Sequence, residues 1–182
     1  DGVDAAGIGH DELLARVQPT VVIATERCGL TATGHYLNMY GTDISDYNAK
    51  LDYLLLDHPA TVGIGDGGNE IGMGNLVEHI PSVPTLVSDP TVMRVSKLII
   101  ASVSNWGVYG LIAGLSELTN RNLLPTIEEE EAVIRHMVDK GAVDGPTGEQ
   151  VYAVDAFPLE ENRQTLERLH ALLAEQGISK RS

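Results

Sequence analysis

The feature that most restricts the fold is a glycine-rich segment, GIGDGGNEIGMG, at residues 63–74, in which six of twelve residues are glycine. It overlaps the end of a short apolar run, TVGIG, at residues 61–65. Glycine permits positive φ angles and close backbone approach, so such a run can aim several N–H groups at one point. The segment therefore predicts a tight turn at the carboxyl end of a buried strand, where ligands often bind.

The charge of this turn argues against a dinucleotide site. Gly63, Gly65 and Gly68 fit the GxGxxG pattern, but Asp66 and Glu70 lie in and beside the supposed phosphate cradle. No Lys or Arg occurs between residues 51 and 93 to offset them, and two carboxylates repel a pyrophosphate. We therefore expect no nucleotide cofactor. Asp66 and Glu70 suit a divalent cation such as Mg²⁺ or Mn²⁺, or a substrate ammonium group.

Short apolar runs alternate with helical patterns along the chain. This alternation predicts an α/β fold with a three-layer, mainly parallel sheet covered by helices, Rossmann-like and doubly wound, in a single domain over residues 1–182. Thr126 and Glu129 fit a capping box, with Gly141 at the helix stop. The predicted strands are 20–25, 61–65 and 97–103, and the predicted helices are 11–17, 45–56, 105–118, 126–140 and 160–176.

Composition excludes several classes of function. The chain has 12 Lys and Arg against 26 Asp and Glu, a net charge of −14, which disfavours binding to nucleic acid or an anionic membrane. No uninterrupted apolar stretch reaches the ~18 residues that a membrane helix needs. Cys28 is the only cysteine, so an intrachain disulfide is excluded and a reducing compartment is the simpler inference.

Polar side chains follow each of the three predicted strands at the point where the strand ends. Because the carboxyl ends of parallel strands meet at one edge of a sheet, we expect these side chains to form one site. Arg27 is suited to hold a carboxylate in a bidentate manner, and Glu26 could orient it or act as a base. The residues concerned are Glu26 and Arg27 after the first strand, Asp66, Asn69 and Glu70 after the second, and Ser104 and Asn105 after the third.

Two further segments supply candidate ligand-binding groups. Asn38 lies in a polar loop after the first strand, and Asp144 lies in the glycine-containing turn GAVDGPTG at residues 141–148. Structural readings compete with each of these assignments. Ser104 or Asn105 could cap the helix that follows, Glu26 could pin a loop by pairing with Arg27, and Asp144 could belong to an ordinary turn.

Taken together, these segments resemble the C-terminal catalytic domain of the D-glutamate cyclase family. The resemblance rests on ERCGLTATGHYLNMYGTDIS, GIGDGGNEIGMGN, ASVSNWGVYGLIAGL, and GAVDGPTG followed by VDAF, in the family's order and with similar spacing. Cys28 departs from the proline that the family often has there, which weakens any role for the thiol. The family usually continues upstream, so we expect this chain to lack an N-terminal portion of the domain.

The resemblance implies a carbon–oxygen lyase that converts D-glutamate to 5-oxo-D-proline with loss of water. It implies an acidic amino acid as the small-molecule partner and a location in the cytoplasm of a bacterium or the mitochondrial matrix of a eukaryote. A homo-oligomer is compatible with the sequence, which does not define the oligomeric state. The candidate catalytic residues are Asp66, Glu70 and Glu26, and the candidate substrate-binding residues are Arg27, Asn38, Asn69, Ser104, Asn105 and Asp144. Asp66 and Glu70 are also the candidate metal ligands.

Two alternatives remain open at this stage. The run Asp66-Gly67-Gly68-Asn69-Glu70 is similar to the metal loop of haloacid-dehalogenase-like phosphatases, but the DxD nucleophile motif of that superfamily is absent from the chain. A non-catalytic module that binds an acidic metabolite would need only Arg27 and the glycine turn.

Overall fold

The computed structural model describes residues 9–56 and 58–178, which divide between two units, residues 1–104 and 105–182. In the first unit, strands β1 (Val22–Thr25), β2 (Thr61–Gly65) and β3 (Lys97–Ile100) form a parallel sheet in the order β1-β2-β3. The three predicted strands and their adjacency are confirmed, although the first and third are shorter than expected. The α/β class is therefore confirmed, whereas the three-layer, doubly wound arrangement and the single domain stay predictions.

Two short helices accompany this sheet, α1 (His10–Val17) and α2 (Tyr53–Leu56). The core of the first unit packs Leu55 of α2 against Ala24 of β1, together with Ile71, Met93 and Val95 from the segments that flank β2 and β3. The predicted helix at 11–17 is confirmed. Burying apolar side chains in this way fixes the carboxyl ends of β1 and β2, from which the candidate site residues extend.

The predicted helix over residues 45–56 is wrong, because only a 3₁₀ turn at Ser45–Tyr47 and the four residues of α2 are helical. Hydrogen bonds to distant residues replace the helical ones. The Ser45 hydroxyl accepts from Tyr36 N at 2.9 Å instead of capping a helix. Asp52 accepts from the Tyr36 hydroxyl at 2.8 Å, and Arg27 Nη2 donates to the Ala49 carbonyl at 2.6 Å. These contacts override the local helical pattern.

The second unit contains most of helix α3 (Ser104–Thr119), which begins at the last residue of the first unit, followed by α4 (Ile127–Asp139) and α5 (Leu159–Glu175). A small antiparallel hairpin, β4 (Ala153–Val154) and β5 (Phe157–Pro158), precedes α5. The three predicted helices are confirmed to within two residues at each end. The capping box of Thr126 and Glu129 is present, and Gly141 adopts a φ of +101°.

The core of the second unit is formed by one face of α5 packed against α3 and the segment between α3 and α4. Leu166 and Leu173 are buried there with Tyr109 and Leu124. Leu166 and Leu173 belong to the apolar stripe that the sequence predicts on this helix. In the described part of the chain, no helix has the length and apolar character required to cross a membrane.

Candidate active site

The glycine-rich turn after β2 is organised around the carboxylate of Glu70. Glu70 Oε1 accepts hydrogen bonds from Asp66 N at 3.2 Å and Gly67 N at 2.7 Å, and Oε2 accepts from Gly68 N at 2.7 Å. The side chain is 1% exposed. The N–H groups of the turn do converge on one point, as the sequence predicts, but an internal carboxylate occupies that point.

Glycine is required in this turn because the backbone wraps closely around that carboxylate. A Cβ atom on Gly67 would lie 3.0 Å from Asn69 Oδ1 and 3.1 Å from Glu70 Oε1. Gly68 has a φ of +99°, a region that L-residues rarely adopt, and a Cβ there would lie 2.8 Å from Ile80. The sequence pattern thus encodes a cradle of N–H groups that is too tight for side chains.

Burial raises the pKa of the Glu70 carboxyl above its ordinary value. Hydrogen bonds from the turn backbone, including Gly67 and Asp66, work in the opposite direction, and the neighbouring Asp66 charge raises the pKa further. Both oxygens of Glu70 are nevertheless engaged by backbone donors. This engagement suits a carboxylate that holds the turn in shape rather than one that approaches a substrate.

Asp66 stands one residue beyond β2 and is only half-buried. Its Oδ2 accepts from Ser104 N at 2.9 Å and from the Ser104 hydroxyl at 3.1 Å. The carboxylate therefore satisfies an N–H group at the start of α3, where the positive end of the helix dipole stabilises negative charge. Asp66 Oδ1 has no hydrogen-bond partner among the described residues, so this atom is available for chemistry.

Glu26, Asp66 and Glu70 lie together at the carboxyl ends of β1 and β2. One carboxylate oxygen from each lies within 4.8 Å of the others, and the three residues range from exposed to buried in that order. Glu26 adopts a left-handed backbone conformation with a φ of +52°, which is uncommon for a residue other than glycine. The structure therefore brings these three carboxylates together, and their combined negative charge favours a cationic ligand.

Arg27 is positioned by backbone pairing with the far side of the glycine turn. Ile71 N donates to Arg27 O at 2.7 Å, and Gly29 N donates to Asn69 O at 2.9 Å. Arg27 Nε and Asn69 Oδ1 are both buried without a hydrogen-bond partner among the described residues. Buried polar atoms are nearly always satisfied, so these two atoms indicate that a ligand or water completes the site.

The side chains of Asn38 and Ser104 both make hydrogen bonds within the protein. Their predicted roles in binding substrate stay predictions. Asn38 Oδ1 accepts from Tyr40 N at 3.0 Å and from Thr42 N at 2.9 Å, which holds its loop. Ser104 is fully buried, and its hydroxyl donates to Asp66. The predicted capping of α3 is thus carried out by Asp66 from the neighbouring strand end.

Cys28 is a buried thiol that donates to the Leu37 carbonyl at 3.0 Å. Burial raises its pKa, and this effect outweighs the hydrogen bond from Asn69 and the charge of Arg27, which lower it. The thiolate is the reactive form, so we expect modification of native Cys28 by a disulfide reagent to be at least about tenfold slower than in the unfolded chain. Absorbance kinetics with and without denaturant measure both rates. Equal rates would show that the thiol is accessible and activated.

Two candidate residues, Asn105 and Asp144, belong to the second unit. Asp144 is 5% exposed, and its carboxylate accepts hydrogen bonds from backbone and hydroxyl donors of its own unit. Thr147 donates to Oδ2 through its hydroxyl at 2.7 Å and its N–H at 3.2 Å, and Ala156 N donates to Oδ1 at 2.9 Å. Ala156 has a φ of +64°, so Asp144 supports a strained hairpin turn between β4 and β5.

Burial pushes the pKa of Asp144 upward, but the hydrogen bonds from Ala156 and Thr147 outweigh it, and the pKa lies below its ordinary value. A lowered pKa stabilises the fold above the unfolded pKa of about 4 and loses that contribution as pH falls. We therefore expect Asp144→Asn to lower the free energy of unfolding by about 1–3 kcal/mol at neutral pH. Urea titrations between neutral and acid pH should show this difference shrinking below about pH 4. Exposed Asp46→Asn is the matched control, and a pH-independent difference would contradict the explanation.

The sequence interpretation missed the buried pair of Tyr36 and Asp52. Asp52 is buried and accepts from the Tyr36 hydroxyl, which raises the pKa of Tyr36 through burial and through this acceptor. The pair anchors the loop that follows Arg27. Sixteen residues separate the partners, and neither stands in a local pattern that signals a contact.

Two comparisons with known proteins give matches for this chain. A family model described as D-glutamate cyclase-like, C-terminal, matches residues 4–170. Among curated proteins, the chain is similar to the mitochondrial D-glutamate cyclase of Homo sapiens, with 35% identity over 103 residues. The match covers 52% of this chain and 16% of the human protein, so the chain spans a small part of that relative.

Proposed function

The chain belongs to the D-glutamate cyclase-like family, C-terminal domain, and from this premise we propose that it takes part in converting D-glutamate to 5-oxo-D-proline and water. The observation that carries the proposal is the cluster of Glu26, Asp66 and Glu70 at the ends of two parallel strands. A cluster of carboxylates attracts the α-ammonium group of an amino acid. The same cluster can then remove the proton that keeps this nitrogen from acting as a nucleophile.

The reaction forms the bond between the substrate nitrogen and Cδ and breaks one bond between Cδ and a γ-carboxylate oxygen. The ammonium loses two protons in total, and the leaving oxygen departs as water. Folding the substrate so that nitrogen lies ~3–3.5 Å from Cδ supplies much of the rate advantage. The protein must therefore supply a base, a clamp for the α-carboxylate, and groups that stabilise the oxyanion.

We assign the base to Asp66 because its Oδ1 has no hydrogen-bond partner in the described structure, while Ser104 holds Oδ2 in place. Glu26, the most exposed of the three carboxylates, is assigned to the ammonium group. Glu70 is assigned to the shape of the turn, since three N–H groups engage its two oxygens. The three carboxylates therefore have different roles: one takes the proton, one binds the ammonium group, and one holds the turn in shape.

Arg27 is assigned to the substrate α-carboxylate, and Asn69 Oδ1 to a proton-bearing group of the substrate, such as the protonated leaving oxygen. Support comes from the buried Nε of Arg27 and the buried Oδ1 of Asn69, neither of which has a partner among the described residues. A guanidinium group can bind a carboxylate through two parallel hydrogen bonds. No role in this chemistry is assigned to Asn38, Asn105 or Asp144.

The donor set also fits a divalent cation. Mg²⁺ and Mn²⁺ favour carboxylate oxygens and keep several water ligands. Asp66 Oδ1 and the Glu26 carboxylate would hold such an ion, whereas the oxygens of Glu70 are already committed to the turn. A bound cation would supply Lewis-acid polarisation of the γ-carboxylate.

The direct test incubates the protein with D-glutamate or L-glutamate, after chelation and after addition of Mg²⁺ or Mn²⁺. Mass spectrometry should detect a product lighter by one water from D-glutamate, and its optical configuration should be retained. Saturable binding of D-glutamate without product would instead identify a binding module. Phosphate release from a phosphomonoester without lactam formation would support the phosphatase alternative and overturn the proposal.

A further inference from the structure

The second unit contains a cavity of about 260 Å³ that the proposed reaction does not use. Every residue that lines it belongs to residues 105–182, so the cavity is complete within that unit. The lining comes from α4, from the loop after α4 and from the hairpin of β4 and β5, together with Asn105 of α3. The lining includes Asn105, Glu130, Val133, Met137, Val143 and Asp155.

The charge of the cavity has one sign. Glu130, Asp144 and Asp155 line it, and no Lys or Arg is among the lining residues. Glu130 is half-buried, and one of its oxygens accepts from the Tyr109 hydroxyl. Its other oxygen and the side-chain amide of Asn105 have no hydrogen-bond partner within the described part of the chain. The cavity lining therefore offers a carboxylate oxygen and an amide group to a ligand.

The rest of the cavity is apolar. Val133, Met137 and Val143 are each more than half exposed although they face a concave surface. Apolar surface of this kind gains free energy when a hydrocarbon covers it. A suitable ligand therefore combines a short hydrocarbon chain with a group that donates hydrogen bonds and carries positive charge. An acidic amino acid does not fit this description.

We propose that this cavity binds a small aliphatic ammonium ion. The ammonium group lies at Glu130 and Asn105, where it donates to the free carboxylate oxygen. The hydrocarbon chain lies along Val133, Met137 and Val143. This site is separate from the carboxylate cluster of the first unit, and it does not depend on the proposed lyase activity.

The test uses the whole chain and n-pentylammonium chloride as the probe, with 1-pentanol and pentanoate as neutral and anionic isosteres. Titration followed by two-dimensional amide NMR should give saturable shifts at Glu130, Val133 and Met137. We expect pentylammonium to bind about fivefold more tightly than pentanol, and pentanoate not to bind.

Matched variants separate the two parts of the site. Glu130→Gln keeps an acceptor for Tyr109 and should weaken pentylammonium binding about fivefold without affecting pentanol. Exposed Glu128→Gln makes the same change in net charge outside the cavity and should have no effect. Met137→Ser should weaken both ligands, whereas Leu172→Ser, which truncates a side chain that is also 55% exposed but lies outside the lining, should weaken neither.

Several results would overturn the proposal. They are equal binding of pentanol and pentylammonium, binding that maps to other residues, no saturable binding, or an equal effect of Glu128→Gln. Circular dichroism checks that each variant is folded. If Glu130→Gln does not fold, the isostere series and the Met137 and Leu172 pair still decide the question.

Discussion

Asp66→Asn is expected to lower the rate of lactam formation by at least about 10²-fold, because general acid–base catalysis alone contributes roughly 10²–10⁴-fold. The amide keeps the shape of the side chain but removes its charge and its ability to take a proton. The rate should be measured with D-glutamate under the conditions that give the highest activity of the parent protein. If this chain shows no activity alone, the variant is compared in a longer parent that does.

The same variant should remain stable, and the reason lies at the start of α3. Asp66 Oδ2 accepts two hydrogen bonds from Ser104, and asparagine retains an oxygen that can accept them. Asparagine and aspartate are about equally good helix caps, so the loss is limited to the interaction of charge with the helix dipole, about 0.3–1 kcal/mol.

Asp46→Asn provides the control for charge, since Asp46 is exposed and lies outside the carboxylate cluster. It should change neither the rate nor the melting temperature. Turnover by Asp66→Asn close to that of the parent would overturn the assignment of the base. Asp66 would then be a helix cap only.

The parts of the fold that could be predicted from the sequence are those fixed by neighbouring residues. Thr126 and Glu129 form a capping box within one helical turn, and β2 was predicted to the residue. The connection between β1 and β2 could not be predicted, because it is held by hydrogen bonds between distant residues. The Ser45 hydroxyl accepts a hydrogen bond from Tyr36 N, and the Ala49 carbonyl accepts one from Arg27 Nη2. Neither residue takes part in the helix that the local pattern indicates.

The sequence was sufficient to predict where the carboxylates lie, but not which role each of them has. Parallel strands place Glu26, Asp66 and Glu70 at one edge, which the sequence pattern was sufficient to indicate. The four-residue spacing of Asp66 and Glu70 does not say which carboxylate faces outward. That depends on the path of the turn, which directs the N–H groups of Gly67 and Gly68 toward Glu70.

Glu70→Gln is expected to destabilise the fold by at least about 2 kcal/mol, because hydrogen bonds to charged groups are worth about 1.5–3 kcal/mol and the amide NH₂ would face a backbone N–H. For a chain of this size, this corresponds to a fall of at least about 4 °C in melting temperature. Calorimetry and urea unfolding measure the change. Glu78→Gln, at an exposed residue nearby, should stay within about 0.5 kcal/mol of the parent.

A second measurement separates a lost support from a lost base. Glu70→Ala leaves the N–H groups of Asp66, Gly67 and Gly68 directed at an empty position that an external carboxylate can fill. Formate should therefore raise the melting temperature of Glu70→Ala more than that of Glu78→Ala at equal ionic strength. If Glu70 were a catalytic base, its substitution would reduce the rate and leave the melting temperature unchanged. Unchanged stability of both Glu70 variants would thus refute the supporting role, whereas loss of stability that formate restores would support it.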